Sequence, residues 1–201
     1  MFMVEFKVFD RWSVDGIKVE DAGLVDYITL DSKIVPKTGA RYAGNKFYKS
    51  KVFIVERFLN KLMCSGHRSK KHFKSSYTLT GKANTALKIM YKTLEMVENK
   101  TKQNPVKVLV KAIENAAPRE EIIAIEYGGA RYPKAVECAP QRRVDVAMRL
   151  MTQGAYHKRF NTKKSIVSSL SDEIISAFNL SQNSAAIAKK LELERQADAS
   201  R

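Results

Sequence analysis

From residue 52 to residue 64, Ile54, Val55, Phe58, Leu59, Leu62 and Met63 recur three to four apart. This is the stripe of an amphipathic helix, and it leaves Glu56, Arg57, Asn60 and Lys61 for the other face. The Ser65-Gly66 pair ends it. Leu87, Met90, Tyr91, Leu94 and Val97 mark a second helix. Asn104-Pro105 predicts the start of a third, because an Asn oxygen caps free N–H groups and the donor that proline lacks is not needed at the first helical position. Val108, Leu109, Ala112 and Ile113 line its buried side, and Pro118 closes this helical half. Two runs rich in β-formers, 122–127 and 131–138, then flank Gly128-Gly129, a pair that tolerates the positive φ of a tight hairpin turn. Pro140 opens a fourth helix through Val144, Ala147, Met148 and Met151, ended at Gly154, and Ile166, Leu170, Ile174 and Phe178 give a fifth. Ser184 caps a last one, in which Ile187, Leu191 and Glu194 keep helical spacing while Lys189, Lys190 and Arg195 face out.

Elsewhere the periodicity is weaker. The first forty residues hold short alternating runs, Ile17-Lys18-Val19 and Tyr27-Ile28-Thr29-Leu30, with acids between them, and predict an irregular segment with short strands. Residues 67–82 are polar, basic and poor in core formers, a loop long enough to need a function. The fold class is therefore mainly α, a bundle of about six helices with one protruding β-hairpin. With 201 residues and no repeat or linker, the chain reads as a single domain over 1–201. Within it lie a less regular acidic segment (1–40), a basic segment (41–82), the hairpin (121–138) and a C-terminal helix and tail (184–201).

Charge changes this picture. The chain carries 36 Lys and Arg against 21 Asp and Glu, a formal +15, and the excess is concentrated. Residues 41–82 hold eleven basic side chains and one acid, Glu56, whereas residues 1–40 are net negative. One basic face and a polyanionic partner follow. Cys64 and Cys138 lie far apart in a Lys-rich chain without an apolar leader, which favours a reducing, cytoplasmic setting. No apolar run approaches the roughly 20 residues that span a bilayer, so no membrane partner is expected.

The candidates for catalysis are thin. Cys64 with His67 falls short of the ligands a structural zinc site needs, and Cys138 with His72 or His157 would have to meet from separate elements. Adjacent Glu120 and Glu121 point to opposite faces of a strand, which suits pairing with nearby cations better than shared acid-base work. Gly128-Gly129 lacks the Lys-Ser or helix of a phosphate cradle. The expectation is no catalytic residue, no metal and no cofactor. What recurs instead is cations joined with rings: Arg41-Tyr42, Lys46-Phe47-Tyr48-Lys49, Lys71-His72-Phe73-Lys74 and Arg131-Tyr132-Pro133-Lys134. A cation suits a phosphate and a ring suits an unpaired base, although Phe47, Phe73 and Tyr132 serve equally as core or hairpin-packing residues. A helical DNA-binding or DNA-compacting protein is the alternative that charge and helices allow.

Several segments together resemble the universal ribosomal protein family that organises the head of the small subunit, numbered seven there and five in eukaryotic naming. They are Ile54-Val55-Glu56-Arg57, Asn104-Pro105-Val106-Lys107-Val108-Leu109-Val110, Ala112-Ile113-Glu114-Asn115-Ala116-Ala117-Pro118-Arg119-Glu120, Tyr127-Gly128-Gly129-Ala130-Arg131-Tyr132-Pro133, Pro140-Gln141-Arg142-Arg143-Val144-Asp145 and the closing Lys189-Lys190, Glu194-Arg195 and Ser200-Arg201. The hairpin wording and Asp145 resemble the archaeal branch more than the eukaryotic one. Residues 65–80 fall outside the matched wording, so contacts there rest on charge alone, and Phe178 stands where a smaller residue is expected.

The resemblance implies a non-enzymatic, cytoplasmic constituent of the small ribosomal subunit, acting in translation and in ribosome assembly. It implies binding to the 3′ major domain of small-subunit rRNA, nucleation of head assembly, and a hairpin beside exit-site tRNA and the mRNA path. Other small-subunit proteins would be neighbours, without homo-oligomerisation. Carried onto this chain, Arg41, Lys46, Lys49, Lys51, Lys70, Lys71, Lys74 and Lys82 would neutralise rRNA phosphates, and Arg142 and Arg143 would contact RNA near the hairpin base unless they pair with Glu137 or Asp145. Tyr127, Gly128, Gly129, Arg131, Tyr132 and Lys134 would form the tip that approaches tRNA and mRNA.

Overall fold

The computed structural model describes residues 6–31, 33–39, 41, 44–68 and 73–201, with backbone only at 67, 68, 73 and 74, and among these residues six α-helices carry the fold. They are α1 (Ile54–Leu62), α2 (Ala83–Thr101), α3 (Pro105–Ala116), α4 (Pro140–Arg159), α5 (Ile166–Phe178) and α6 (Ala185–Ala199). An antiparallel hairpin of β3 (Glu120–Tyr127) and β4 (Ala130–Glu137) stands between α3 and α4. A smaller ladder that periodicity did not announce, β1 (His67–Arg68) with β2 (Phe73–Lys74), lies in the stretch read as loop. The mainly helical class with a protruding hairpin is thus as expected. No helix among the described residues is long and apolar enough to cross a membrane.

Local chemistry starts or stops several of the helices. Lys102 enters the left-handed region at φ 56° and its N–H returns to the Glu98 carbonyl, which terminates α2. Two residues later the Asn104 side chain accepts from the Val106 N–H at 3.0 Å, with Pro105 in the first turn of α3. Ser165 and Ser184 cap α5 and α6 in the same way, through the N–H groups of Val167 and Ile187. The predicted stripes then meet in one core, where Phe58, Leu62, Met90, Leu94, Leu109, Ile113, Met148, Met151 and Leu170 are fully buried. Helix α5 lies against α2, α3 and α4.

Gly154 does not end the fourth helix, which continues to Arg159. A Cβ built on Gly154 would lie 2.6 Å from the Cβ of Ala185. Glycine here permits the start of α6 to approach α4, and the tolerated mid-helix glycine is a packing device rather than a stop. Beside it Glu173 of α5, with no solvent exposure, accepts from the Ser184 hydroxyl at 2.7 Å, the Ala186 N–H at 3.3 Å and the Lys158 ammonium at 2.6 Å. A buried carboxylate is tolerable when paired and hydrogen-bonded this fully.

Lys190 does not face out as its spacing suggested. It is half-buried, and its ammonium donates at 2.8 Å to the Asn115 carbonyl in the last turn of α3, where a cation complements the helix dipole. Burial pushes its pKa below the ordinary lysine value, against the opposing charge of Glu194.

The first forty residues also differ from expectation. In place of short strands, the described part has two isolated bridges, Val8 with Trp12 and Thr29 with Phe53, and a 3-10 turn at Val25–Tyr27. The segment is a strap whose Val8, Trp12, Val14, Leu24 and Ile28 enter the helical core. It is held by polar clasps: Asn104 Nδ2 donates to the Ser13 carbonyl at 2.6 Å, and the Glu20 N–H donates to Glu114 at 2.7 Å. Its acids reach cations of the bundle, Glu20 pairing with Lys111 and Asp21 with Arg143.

The strap covers part of the polar side of α1, which its sequence suggested as a solvent face, while Asn60 and Lys61 stay partly exposed. Glu56 and Arg57 are buried. Glu56 accepts from the Thr38 N–H at 2.8 Å and from its hydroxyl, while Arg57 donates to the Tyr27 carbonyl at 2.6 Å and lies 3.4 Å from Asp145.

Candidate nucleic-acid interface

The basic segment is pinned to the strap at Thr29. The Thr29 hydroxyl donates to the Ser50 carbonyl at 2.6 Å, and the Ile54 N–H donates to the Thr29 carbonyl at 3.1 Å. Just before Ser50 and Ile54, Phe47 adopts φ 58°, unusual for a bulky L-residue, and turns the chain into a 3-10 helix at Tyr48–Lys51. This places Phe47 outward, 73 % exposed, beside exposed Lys46. Lys51 lies over the Tyr48 ring at 5.4 Å from its centroid. Arg41, Lys51 and Tyr48 line a cavity of about 360 Å³ together with Lys33 and Lys37.

Helix α4 extends this surface. Lys49 pairs with Asp145 of α4, and a concavity of about 350 Å³ next to that pair is walled by Lys61, Arg142 and Arg149. Lys61 comes from α1, whereas Arg142 and Arg149 lie two helical turns apart on α4. Lys33, Lys37, Lys61 and Arg149 were not singled out by the sequence. The spacing of Arg142 and Arg149 about Asp145 was a readable signal for one of them, since residues three, four and seven apart share a helix face.

The two adjacent arginines at the start of α4 have different fates. Arg142 is exposed and its guanidinium meets Glu121 at 2.6 Å, which raises its pKa further through that hydrogen bond. Arg143 is buried, donating to the Pro118 carbonyl at 3.1 Å and to Asp21 at 2.7 Å. Their acids are therefore Glu121 and Asp21, not Glu137 or Asp145. Lys82 is exposed at the N-terminal end of α2. Lys70 and Lys71 lie outside the described residues, as do Tyr42, His72 and the side chains of His67, Phe73 and Lys74.

The hairpin is the second part of the candidate interface. Gly128 and Gly129, at φ 58° and 80°, make the two-residue turn, and Tyr127 pairs with Ala130 across it. Ile123 and Ile125 share a face with Tyr127, opposite Lys134 and Tyr132 respectively. Tyr127 is 81 % and Tyr132 57 % exposed, and both isoleucines are exposed. Neither Phe47 nor Tyr132 is a core residue, and Tyr132 lies across the hairpin from Ile125. Arg131 stands across from Glu126 at 3.5 Å, and Lys134 is exposed. The base is held by Arg142 on Glu121, by Arg201 on Glu120, and by Glu194 of α6 accepting from the Arg119 N–H at 3.2 Å. Glu120 and Glu121 thus serve separate cations.

Among the described residues no group of three or more His, Cys, Asp or Glu is placed to hold a metal. Cys138 is buried, and its thiol is pushed up to about 11 by burial and by the charge of Glu121, which keeps it protonated and a poor nucleophile. Cys64 is exposed beside Lys61.

The ribosomal protein S7p/S5e family model matches residues 25–201. A small ribosomal subunit protein uS7 from Nanoarchaeum equitans is 52 % identical over 198 residues, covering 98 % of this chain and all of the relative. Proteins of the same name from Methanosphaera stadtmanae and Archaeoglobus fulgidus are 47 % and 44 % identical, over 96 % and 98 % of this chain and 97 % and 96 % of theirs. The chain belongs to the ribosomal protein S7p/S5e family, in its archaeal type.

Proposed function

We propose that this protein binds the 3′ major domain of small-subunit rRNA through the face shared by its basic segment, α1 and α4, and nucleates assembly of the subunit head. Family membership makes it a structural constituent of the small ribosomal subunit, not an enzyme, with its place in the cytoplasmic ribosome. The observation that carries the finer reading is the run of exposed cations Arg41, Lys46, Lys51, Arg142 and Arg149, with half-buried Lys61 among them, across three separate elements, with outward rings at Phe47 and Tyr48. Cations on this spacing follow a phosphate backbone, and the rings offer stacking surfaces for unpaired bases. Lys49 shares its charge with Asp145, and Arg143 serves as a scaffold residue rather than a phosphate ligand. The hairpin, held at its base and bare at Tyr127, Arg131, Tyr132 and Lys134, extends toward exit-site tRNA and the mRNA path. Other small-subunit proteins are its neighbours, and the protein acts as one copy per subunit.

Equilibrium binding to a transcript of the 3′ major domain, measured across salt concentrations with duplex DNA as competitor, tests this reading. A steep fall of affinity with salt and weak competition by DNA are expected. Equal competition by duplex DNA at physiological salt would overturn it in favour of a general DNA-binding protein.

A further inference from the structure

Beside the cation-lined cavity lies a second, less polar one. A cleft of about 290 Å³ is bounded by Pro36 of the strap, by Leu59 and Met63 of α1 and by Leu87 of α2, with the Asn84 amide and Glu56 also lining it. Glu56 is 2 % exposed, and its Oε1 is occupied by Thr38, whereas its Oε2 has no hydrogen-bond partner among the described residues. A carboxylate oxygen left unpaired out of water is costly, so the site is complete only when a donor arrives. The terminal torsion of a Glu is broad, and a small rotation presents Oε2 to the cleft.

The surroundings select that donor. Lys37 lines both cavities, and the adjoining one adds Lys33, Arg41 and Lys51. A cationic side chain from another protein would approach against these charges, whereas a neutral donor carried on a polyanion would be drawn in. Apolar walls suit the faces of a heterocycle, and a carboxylate accepts from an exocyclic amine.

We propose that this cleft seats one unstacked, amino-bearing base of RNA (adenine, guanine or cytosine), its amine donating to Glu56 and its phosphate lying among Lys33, Arg41 and Lys51. The proposal rests on the RNA-binding reading above and gives it a point of base recognition. A uracil fits poorly, because its two carbonyl oxygens flank its single N–H and would face the carboxylate.

The test compares base protections on the 3′ major domain transcript, by dimethyl sulfate and kethoxal, with backbone protections by hydroxyl radicals. Glu56→Gln keeps the acceptor for Thr38 and replaces Oε2 with a donor, and Ala83→Leu fills the cleft from the opposite wall. Both variants are expected to expose the same adenine, guanine or cytosine while the backbone footprint persists, with affinity falling about tenfold in Glu56→Gln, as for loss of a charge-assisted hydrogen bond. Unchanged base protections in both variants, or a uniform loss with no base singled out, would overturn the cleft while leaving RNA binding intact. Failure of the unaltered protein to bind the transcript would instead remove the RNA reading and the cleft with it.

Discussion

The two sides of the helical bundle use the same residue types to opposite ends. On the strap side cations are met by acids: Arg143 by Asp21, Lys111 by Glu20, and Arg11 by Glu95 and Glu98. On the side of the basic segment, Arg41, Lys46, Lys51, Lys61 and Arg149 stand at the surface, and the acids that do occur there, Glu56 and Asp145, are held by Thr38 and by Lys49 and Arg57. A formal charge of +15 is thus not a diffuse property of the chain. The acid-rich N-terminus pairs with cations of one side, while the cations of the basic segment meet few acids on the other, and the self-pairing that stabilises the bundle is kept.

Arg142 and Arg143 give the sharpest way to break this comparison. Arg143→Ala leaves Asp21 and the Pro118 carbonyl without their partner in a largely buried setting, and should lower unfolding free energy by about 2–4 kcal/mol in denaturant titrations. Arg142→Ala, at an exposed pair, should cost about 0–1 kcal/mol and act on RNA affinity instead. Equal destabilisation by the two variants would abolish the distinction. Gly154→Ala alters no charge yet forces a methyl group against Ala185, and should cost about 1–3 kcal/mol with the RNA affinity of the folded protein unchanged. A next step down in energy is the joint Lys61→Ala and Arg149→Ala variant. It should weaken binding to the head-domain transcript about tenfold and flatten the salt slope by roughly 1.5, in line with two lost phosphate contacts, at constant thermal stability; an unchanged slope would place neither residue at the interface.

The smallest effect is on acid stability. The Asp21 carboxyl is pushed up by burial, yet the hydrogen bonds from Arg143 and the Gly23 N–H and the charges of Arg143 and Arg119 outweigh this and hold it below the ordinary aspartate range. A carboxyl depressed in the folded state stabilises it above the unfolded value of about 3.9, and that contribution is lost as pH falls through the lower folded value. Asp21→Asn should therefore be less stable than the unaltered protein near neutrality and converge with it in strong acid, as followed by circular dichroism. Parallel stability curves down to the lowest pH would contradict this.

The helices and hairpin were legible because each was written locally: stripes of Phe58, Leu62, Met90 and Met148, caps at Asn104 and Ser184, and the Gly128-Gly129 turn. What escaped depended on a distant partner. Glu56 and Arg57 occupy the polar side of a well-formed helical stripe, and only the returning strap decides that they are buried. Gly154 has the composition of a helix end, and only the approach of Ala185 reveals its use. For the candidate interface, folding sets Arg149 beside Lys49 and Lys61, which belong to the cation-rich run 41–82, and buries Arg143 against Asp21 and the Pro118 carbonyl; neither placement is written in the local sequence.

Lysine modification of the protein, with and without the head-domain transcript, read residue by residue by mass spectrometry, tests the central claim most directly. Lys46, Lys51 and Lys61 should become protected, while Lys100 and Lys164, paired with Asp172, and Lys189, paired with Glu192, keep their reactivity. Protection spread evenly over all six, or confined to the paired set, would contradict the assignment of RNA to the face of α1, α4 and the basic segment.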